Sequence, residues 1–128
     1  MADDEVFCLN IRCMKILLEG KIYPVETEDS ELLRKTEGIL PLKLQFRRNG
    51  NTEFVAELPE KPVNDARQIS HIRPDEVYYY EGWNVLCLNY AEGDIAPYTV
   101  SYIVRVQDTS FSKMLKNAGN EIGIRIER

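Results

Sequence analysis

The stretch from Val77 to Tyr90, which reads VYYYEGWNVLCLNY, decides the fold of this chain. On each side of Gly82, aromatic and apolar residues form short runs that are typical of β-strands. Gly82 separates the runs, and glycine is common at tight turns because it adopts backbone conformations that strain other residues. The stretch therefore predicts two strands joined by a corner, with five aromatic residues on or beside them.

The alternation of side chains on the first strand points to a possible recognition surface. Neighbouring residues of a strand face opposite ways, so Tyr78 and Tyr80 face outwards if Val77 and Tyr79 face the core. Together with Trp83 they would form an aromatic patch of the kind enriched in interface hot spots. The alternative is that these rings cover the barrel wall and pack under the long irregular segment 59–75.

Two arginines are candidates for the rim of this patch, and the single histidine is a further candidate for the site. Arg47 flanks a turn, and His71 and Arg73 lie in segment 59–75, a long connection of the kind that often carries function. We therefore expect a ligand-binding site made of Tyr78, Tyr80, Trp83, Arg47, His71 and Arg73. No catalytic residue is expected, because the single histidine has no Gly-x-Ser-x-Gly elbow or reactive-cysteine signature to serve.

Strand patterns recur on both sides of the opening stretch. Asn49-Gly50 between two alternating runs predicts a hairpin, with both residues at positive φ in a type I′ turn. At the C-terminal end, Ile122, Ile124 and Ile126 share one face of the last strand.

Two short helices interrupt the strands, one around Leu32 and Leu33 and one around Met114 and Leu115. Gly38 and Gly119 suit the left-handed conformation that often ends a helix. The expected N-terminal caps are Asp29 or Ser30 for the first helix and Ser110 or Ser112 for the second.

About eight short strands and two short helices predict an all-β, mainly antiparallel fold that closes into a barrel or packs as a sandwich. The helices are expected to plug the open ends of a barrel. A length of 128 residues predicts one domain spanning 1–128. Residues 1–13 form an N-terminal extension that alternates like a strand and is expected to add one.

Charge and composition exclude several classes of function. The net charge of −5 disfavours nucleic acid, since the phosphate backbone would be repelled. No apolar run approaches the roughly 20 residues of a membrane helix, and the acidic N-terminus is unlike a secretory signal, so a cytoplasmic location and no membrane partner are expected.

Cysteine usage predicts neither disulfides nor a metal site. Three cysteines form an odd set, and the spacing of Cys8 and Cys13 matches no common zinc pattern. Cys87, between two leucines, is expected to be a small buried residue. The sequence also has no Gly-rich loop that could cradle phosphates, so we expect no metal and no cofactor.

The order of several short motifs resembles a small family of prokaryotic proteins with a cyclophilin-like barrel. The matching features run from an opening Met-Lys-Ile strand to the last strand, namely Met14, Leu40-Pro41, Leu58-Pro59, Asp75-Glu76-Val77, Leu86-Cys87-Leu88 and the segment 101–106. The resemblance implies a closed cyclophilin-like barrel. The corner departs from the family pattern, which often reads Trp-Pro-Pro-Gly where this chain has Tyr80-Glu81-Gly82-Trp83.

The resemblance leaves three functions open, because one fold can host many activities. The first is a non-catalytic binding module for a small molecule or an extended peptide. The second is a peptidyl-prolyl isomerase-like enzyme, although the segment His71-Ile72-Arg73-Pro74 lacks the Phe-x-x-Gln that follows the arginine of true cyclophilins. The third is a self-associating structural domain that forms a homodimer through the aromatic patch.

Overall fold

A computed structural model describes residues 14–18, 20–27, 31–62 and 64–128. The predicted N-terminal strand and the predicted caps Asp29 and Ser30 lie outside these residues. The strands are β1 (Lys15–Leu18), β2 (Lys21–Thr27), β3 (Leu42–Asn49), β4 (Glu53–Glu57), β5 (Gln68–Ile69), β6 (His71–Ile72), β7 (Glu76–Tyr80), β8 (Val85–Asn89), β9 (Gly93–Asp94), β10 (Val100–Val106) and β11 (Glu121–Glu127). The helices are α1 (Glu31–Gly38) and α2 (Ser110–Asn117).

Eight of these strands close into an antiparallel barrel in the order β1-β11-β3-β4-β8-β7-β10-β2, with β2 returning to β1. The closure depends on β2, which pairs with β1 through Lys21–Pro24 and with β10 through Val25–Thr27. Pro24 lies where β2 changes partner, a position that suits a residue with no backbone N–H to donate. The predicted closed, mainly antiparallel barrel with two helices is confirmed.

Side chains on the inner faces of the strands fill the barrel. Ile122, Ile124 and Ile126 all point inwards, as the period-2 pattern predicts. Tyr79 and Leu86 join them in one buried cluster. Full burial of each such aliphatic side chain contributes about 1.5–3 kcal/mol, so the inner cluster strongly favours the closed form of the sheet.

The two helices close opposite ends of the barrel. Helix α1 buries Leu32 and Leu33 under one end, and α2 buries Phe111 and Leu115 under the other. The Phe111 ring meets Tyr23 edge-on, with ring centroids 5.1 Å apart. The helices thus supply the apolar surface that the strands alone leave open.

The N-termini of both helices are capped by aspartates that are brought in from outside the helix. The N–H of Leu32 donates to Asp65 Oδ1 at 2.9 Å. In α2 the N–H of Ser110 donates to Asp108 and that of Ser112 donates to Asp75, both at 2.9 Å. The prediction that a serine caps α2 is therefore wrong, since Asp108 beside the helix and Asp75 in the turn before β7 accept these bonds.

Arg48 holds the C-terminal end of α2. Its guanidinium packs against the rings of Phe54 and Tyr90. It donates to Ala118 O at 2.6 Å and to Tyr90 Oη at 2.7 Å. Its Cζ lies 4.6 Å from the centre of the Phe54 ring. Gly38 and Gly119 do not have positive φ, so the predicted left-handed helix ends are wrong.

The predicted hairpin forms at Gly50, but with a longer loop than expected. Asn49 pairs with Glu53, which leaves residues 50–52 as the connection. Gly50 has a φ of 67°, whereas Asn49 stays in the strand. The expected type I′ pair at Asn49-Gly50 is therefore wrong, because the ladder continues through Asn49.

A second buried cluster lies on the outer face of the barrel wall, beneath segments 67–73 and 93–95. Its members are Val55, Ile72, Tyr78, Val85, Cys87, Val100 and Tyr102. The described residues of segment 59–75, which are 59–62 and 64–75, are irregular as predicted, apart from the two-residue strands β5 and β6. Segments 67–73 and 93–95 cover this part of the outer wall, so its side chains are buried.

Candidate functional site

The alternation predicted for β7 is confirmed, but its outward tyrosines have different environments. Val77 and Tyr79 belong to the barrel core, and Tyr78 lies in the outer cluster with no exposed surface. Tyr80 is only partly buried, and Trp83 exposes 52% of its surface. The exposed part of the predicted patch therefore consists of Tyr80 and Trp83.

Tyr78 is anchored rather than displayed. Its hydroxyl donates to Glu76 Oε1 at 2.6 Å and accepts from the N–H of Arg73 at 2.8 Å. Burial, followed by the bond to Glu76, raises the pKa of Tyr78. The Tyr78 hydroxyl therefore bonds segment 67–73, the covering segment, to the barrel wall. The ring is fully buried and offers no free face to a ligand. The expectation that Tyr78 is displayed is thus wrong, because segment 67–73 packs over the ring.

The turn that carries Trp83 is held rigidly. Asn84 adopts a positive φ of 55°, which asparagine tolerates better than most residues. Its side chain accepts from Tyr79 Oη at 2.7 Å and donates to Leu58 O and Glu60 O, each at 3.3 Å. The β7–β8 turn is therefore tied both to the barrel core and to the end of β4.

Gly82 lets the Tyr80 ring fold back over this turn. A Cβ at position 82 would lie 3.0 Å from Cζ and Oη of Tyr80. With the ring in this place, the centroids of Tyr80 and Trp83 are 5.6 Å apart and their planes meet at 76°. We call Tyr80, Glu81, Gly82 and Trp83 the aromatic corner.

Glu81 is fixed within the aromatic corner by a chain of hydrogen bonds. Asn64 Nδ2 donates to Glu81 Oε1 at 2.8 Å, and Ser101 Oγ donates to Asn64 Oδ1 at the same distance. The chain continues to Gln68 and Thr99, with N···O and O···O distances of 2.6 and 3.0 Å. Sequence inspection missed Asn64 and Glu81, because their partners are far apart along the chain. Asn84 could have been found, since asparagine after a glycine-containing turn is typical of positive φ.

The predicted rim residues lie away from the aromatic corner. Arg47 is exposed on β3, and the register Arg47–Val55–Cys87–Tyr78 puts it three strands, roughly 14 Å, from β7. Arg73 is exposed near the start of β7, whereas the corner follows the strand's end, about 13 Å further on. The structure thus does not bring either arginine to Trp83.

His71 forms a separate exposed pair with Glu92. The Nε2–Oε2 distance is 2.6 Å, and both side chains are about half exposed. The hydrogen bond with His71 lowers the pKa of Glu92. The pair joins the small β6–β9 sheet to its own loop and is a local surface contact.

Within the described ranges, no group of three His, Cys, Asp or Glu side chains could hold a metal ion. Cys87 is buried, as predicted, and burial raises the pKa of its thiol well above the usual value. Across the same ranges, no helix is long and apolar enough to cross a membrane.

A cleft of about 380 Å³ lies between the end of α1 and the segment after β4, and no residue of the aromatic corner lines it. Its walls are the end of α1 and the segment after β4, lined by Lys35, Gly38, Ile39, Glu60, Lys61 and Pro62. Asn84 connects it to the corner through its bond to Glu60 O.

An eight-stranded antiparallel barrel with a helix at each end defines a cyclophilin-like barrel protein. A profile of the Cyclophilin-like family matches residues 16–127, and the chain belongs to that family. Its structure is similar to the solution structure of the hypothetical protein AF2241 from Archaeoglobus fulgidus, with a TM-score of 0.64 and 20% identity. The match covers 91% of this chain and 93% of the archaeal one, and at this identity it shows the fold alone. A search of curated proteins found no match.

Proposed function

We propose that this protein is a non-catalytic binding module that recognises a small molecule or an extended peptide at the aromatic corner. The observation that carries the proposal is Trp83, a large apolar ring that is 52% exposed on a turn held by hydrogen bonds. A rigid aromatic anchor loses little conformational entropy on binding, and such anchors supply much of the affinity of recognition surfaces.

The cleft between α1 and the segment after β4 gives the proposed site a second surface. It is open to solvent and has a volume of about 380 Å³, so it offers room for only part of a ligand. Lys35 and Lys61 line it together with Ile39 and Pro62, so it offers both polar and apolar contacts. Asn84, the residue after Trp83, donates to Glu60 O, so an extended ligand that packs on Trp83 would run towards this cleft.

The surroundings of Arg73 favour binding over isomerase chemistry. A prolyl isomerase needs a fixed guanidinium beside an open apolar pocket for the proline ring. Two apolar side chains lie next to Arg73: Ile72 precedes it in the chain, and Tyr78 accepts a hydrogen bond from its N–H. Ile72 exposes 4% of its surface and Tyr78 exposes 0%. They are packed under the covering segment, which supports a role without catalysis.

Trp83 is the only tryptophan of the chain, so its fluorescence reports directly on the proposed site. We expect a saturable change in emission when the right ligand is titrated from a panel of small molecules and short extended peptides. Trp83→Leu, followed by calorimetry, should abolish binding of that ligand.

Ile22→Ala is the matched control, because Ile22 is similarly exposed at 54% and lies on β2, next to the β1–β2 turn at the other end of the barrel. It should leave the affinity unchanged. Binding that survives Trp83→Leu, or is lost equally in Ile22→Ala, would contradict the proposed site.

Two further measurements separate the alternative functions. Catalysis of peptide isomerisation that Arg73→Ala abolishes would contradict the non-catalytic proposal. A rise in mass with protein concentration that Trp83→Leu suppresses would show that the aromatic corner binds a second copy of the chain instead.

A further inference from the structure

Building on the proposed function, we propose that the aromatic corner recognises an alkylated ammonium group. The site would hold this cation against the indole of Trp83, with the Glu81 carboxylate as counter-charge. The shared chemistry is the alkylammonium headgroup, whether a free small molecule or a methylated lysine side chain carries it.

The aromatic rings supply the first part of such a site. Tyr80 and Trp83 meet at 76° with centroids 5.6 Å apart, and the indole keeps half of its surface open. The face of an indole attracts a cation through its quadrupole, more strongly than any other side-chain ring. Quaternary ammonium groups combine a positive charge with apolar methyl groups and so match an exposed ring of this kind.

The fixed carboxylate supplies the second part. Glu81 and Trp83 project from the same turn, which the bond from Asn84 N–H to Glu81 O closes at 3.2 Å. Asn64 orients the Glu81 side chain, and Asn64 is itself held by Ser101. A carboxylate that is already oriented loses less entropy on meeting a cation than a mobile one does.

The charges around the corner also favour a cation over an anion. Glu57 pairs with Val85, which pairs with Tyr80, so its exposed side chain lies two strands from the tyrosine. The backbone carbonyl of Glu60 accepts a bond from Asn84, the residue after Trp83, so the acidic residue Glu60 lies close to the corner. These acids add to Glu81 in a chain whose net charge is −5, which attracts cations at long range.

The lysines of the cleft between α1 and the segment after β4 do not reverse this balance. Lys35 lies in the last turn of α1, where it faces the negative end of the helix dipole. Lys61 directly follows Glu60 in the chain, so the net charge of this pair of residues is zero. An anion at this site would therefore be repelled by Glu81 on the corner and by Glu60 on the cleft wall.

Choline and its neutral analogue, the alcohol in which carbon replaces the ammonium nitrogen, test the inference directly. The two have nearly the same shape, so any difference in affinity reports on charge. We expect choline to change the fluorescence of Trp83 saturably and the neutral alcohol to bind at least about threefold more weakly, because the cation–π and ion-pair contributions are lost. Added salt should weaken choline binding, since exposed charges are screened.

Glu81→Gln should weaken choline binding by roughly two- to fivefold, the range of an exposed ion pair. Glu121→Gln removes the same charge from an exposed site on β11. It should leave the affinity for choline nearly unchanged, because only the long-range attraction is reduced. A peptide containing trimethyl-lysine distinguishes the source of the headgroup: tighter binding than choline points to a protein partner, and weaker binding points to a free small molecule.

Equal binding of choline and the neutral alcohol would overturn the inference, as would an absence of choline binding while another ligand of the panel perturbs Trp83. Both results would leave the binding module standing. If Glu81→Gln and Glu121→Gln weaken choline equally, the counter-charge is general and the role of Glu81 is refuted. Failure of every small molecule and peptide to perturb Trp83 would refute the proposed function itself.

Discussion

Two fully buried tyrosines differ in the partners of their hydroxyl groups, and this difference gives a sharp test of the structure. The hydroxyl of Tyr78 donates to Glu76 and accepts from the N–H of Arg73, at 2.6 and 2.8 Å. The hydroxyl of Tyr23 lies in the barrel core with no hydrogen-bond partner in the described part of the chain. The same substitution, tyrosine to phenylalanine, should therefore lower the free energy of unfolding at Tyr78 but not at Tyr23.

Tyr78→Phe removes a hydrogen bond to a buried carboxylate, and such bonds contribute about 1.5–3 kcal/mol. It also leaves the N–H of Arg73 without its partner, so we expect a loss of about 2–4 kcal/mol in the free energy of unfolding. Tyr23→Phe removes a buried hydroxyl that is not bonded, whose burial costs about 1–3 kcal/mol. It should therefore leave stability unchanged or raise it by about 1–2 kcal/mol.

Urea unfolding at neutral pH measures both changes, with equal m-values as the check that the denatured state is unaltered. In a thermal scan, each kcal/mol should shift Tm by roughly 3–5 °C for a domain of this size. The expected ranking places Tyr23→Phe at or above the wild type and Tyr78→Phe clearly below it.

A Tyr78→Phe variant within about 0.5 kcal/mol of the wild type would refute the anchoring role of Tyr78. A Tyr23→Phe variant that loses more than about 1 kcal/mol would show that its hydroxyl is bonded after all. The result also bears on the site, because a substitution at Tyr78 would loosen the covering segment and would be a poor probe of ligand binding.

Three further outcomes follow from particular contacts. Arg48→Met should lower the free energy of unfolding by about 2 kcal/mol, because the charged hydrogen bonds from Arg48 to the end of α2 disappear. Arg47→Met, at an exposed position, should change it by no more than about 0.5 kcal/mol. Urea unfolding of both variants tests this difference. The hydrogen bond from the Ser110 N–H, followed by that from a lysine, lowers the pKa of Asp108 from 3.8 to about 2. The stabilisation by Asp108 should thus be complete above the unfolded value and fade as pH falls towards 2, so the stability difference between wild type and Asp108→Asn should vanish there. In a variant whose other two cysteines are serines, Cys87 should react with a thiol reagent only at the rate of opening, and rapid labelling of the native protein would contradict its burial.

Local patterns in the sequence predicted the strands well, because the alternation of side chains is a property of the extended backbone itself. It placed Tyr79 inwards and Tyr78 outwards without any knowledge of the neighbouring strands. The helix caps could not be predicted from local patterns. Asp75 caps α2 from 37 positions away, and no local pattern predicts a partner at that separation.

The candidate site was predicted only in part for a similar reason. The sequence singled out Trp83, since a large aromatic residue at a turn has few ways to be buried. It also singled out Arg47 and Arg73, but distances between strands depend on strand order, which the chain does not encode locally. Glu81 acquired its importance only when Asn64, 17 positions away, was brought beside it.

The sequence by itself determined the all-β, mainly antiparallel class of this protein, because period-2 alternation gives each strand one apolar face that has to be buried. That the strands close into a barrel and do not pack as a sandwich was decided by the tertiary structure, in which β2 pairs with both β1 and β10. The tertiary structure alone decided which outward side chains stay outward. Segment 67–73 folds over Tyr78 and not over Trp83, because the outer wall beneath it is apolar through Val55, Val85 and Tyr102. Burial of that second cluster leaves the aromatic corner as the exposed aromatic surface of the opening stretch.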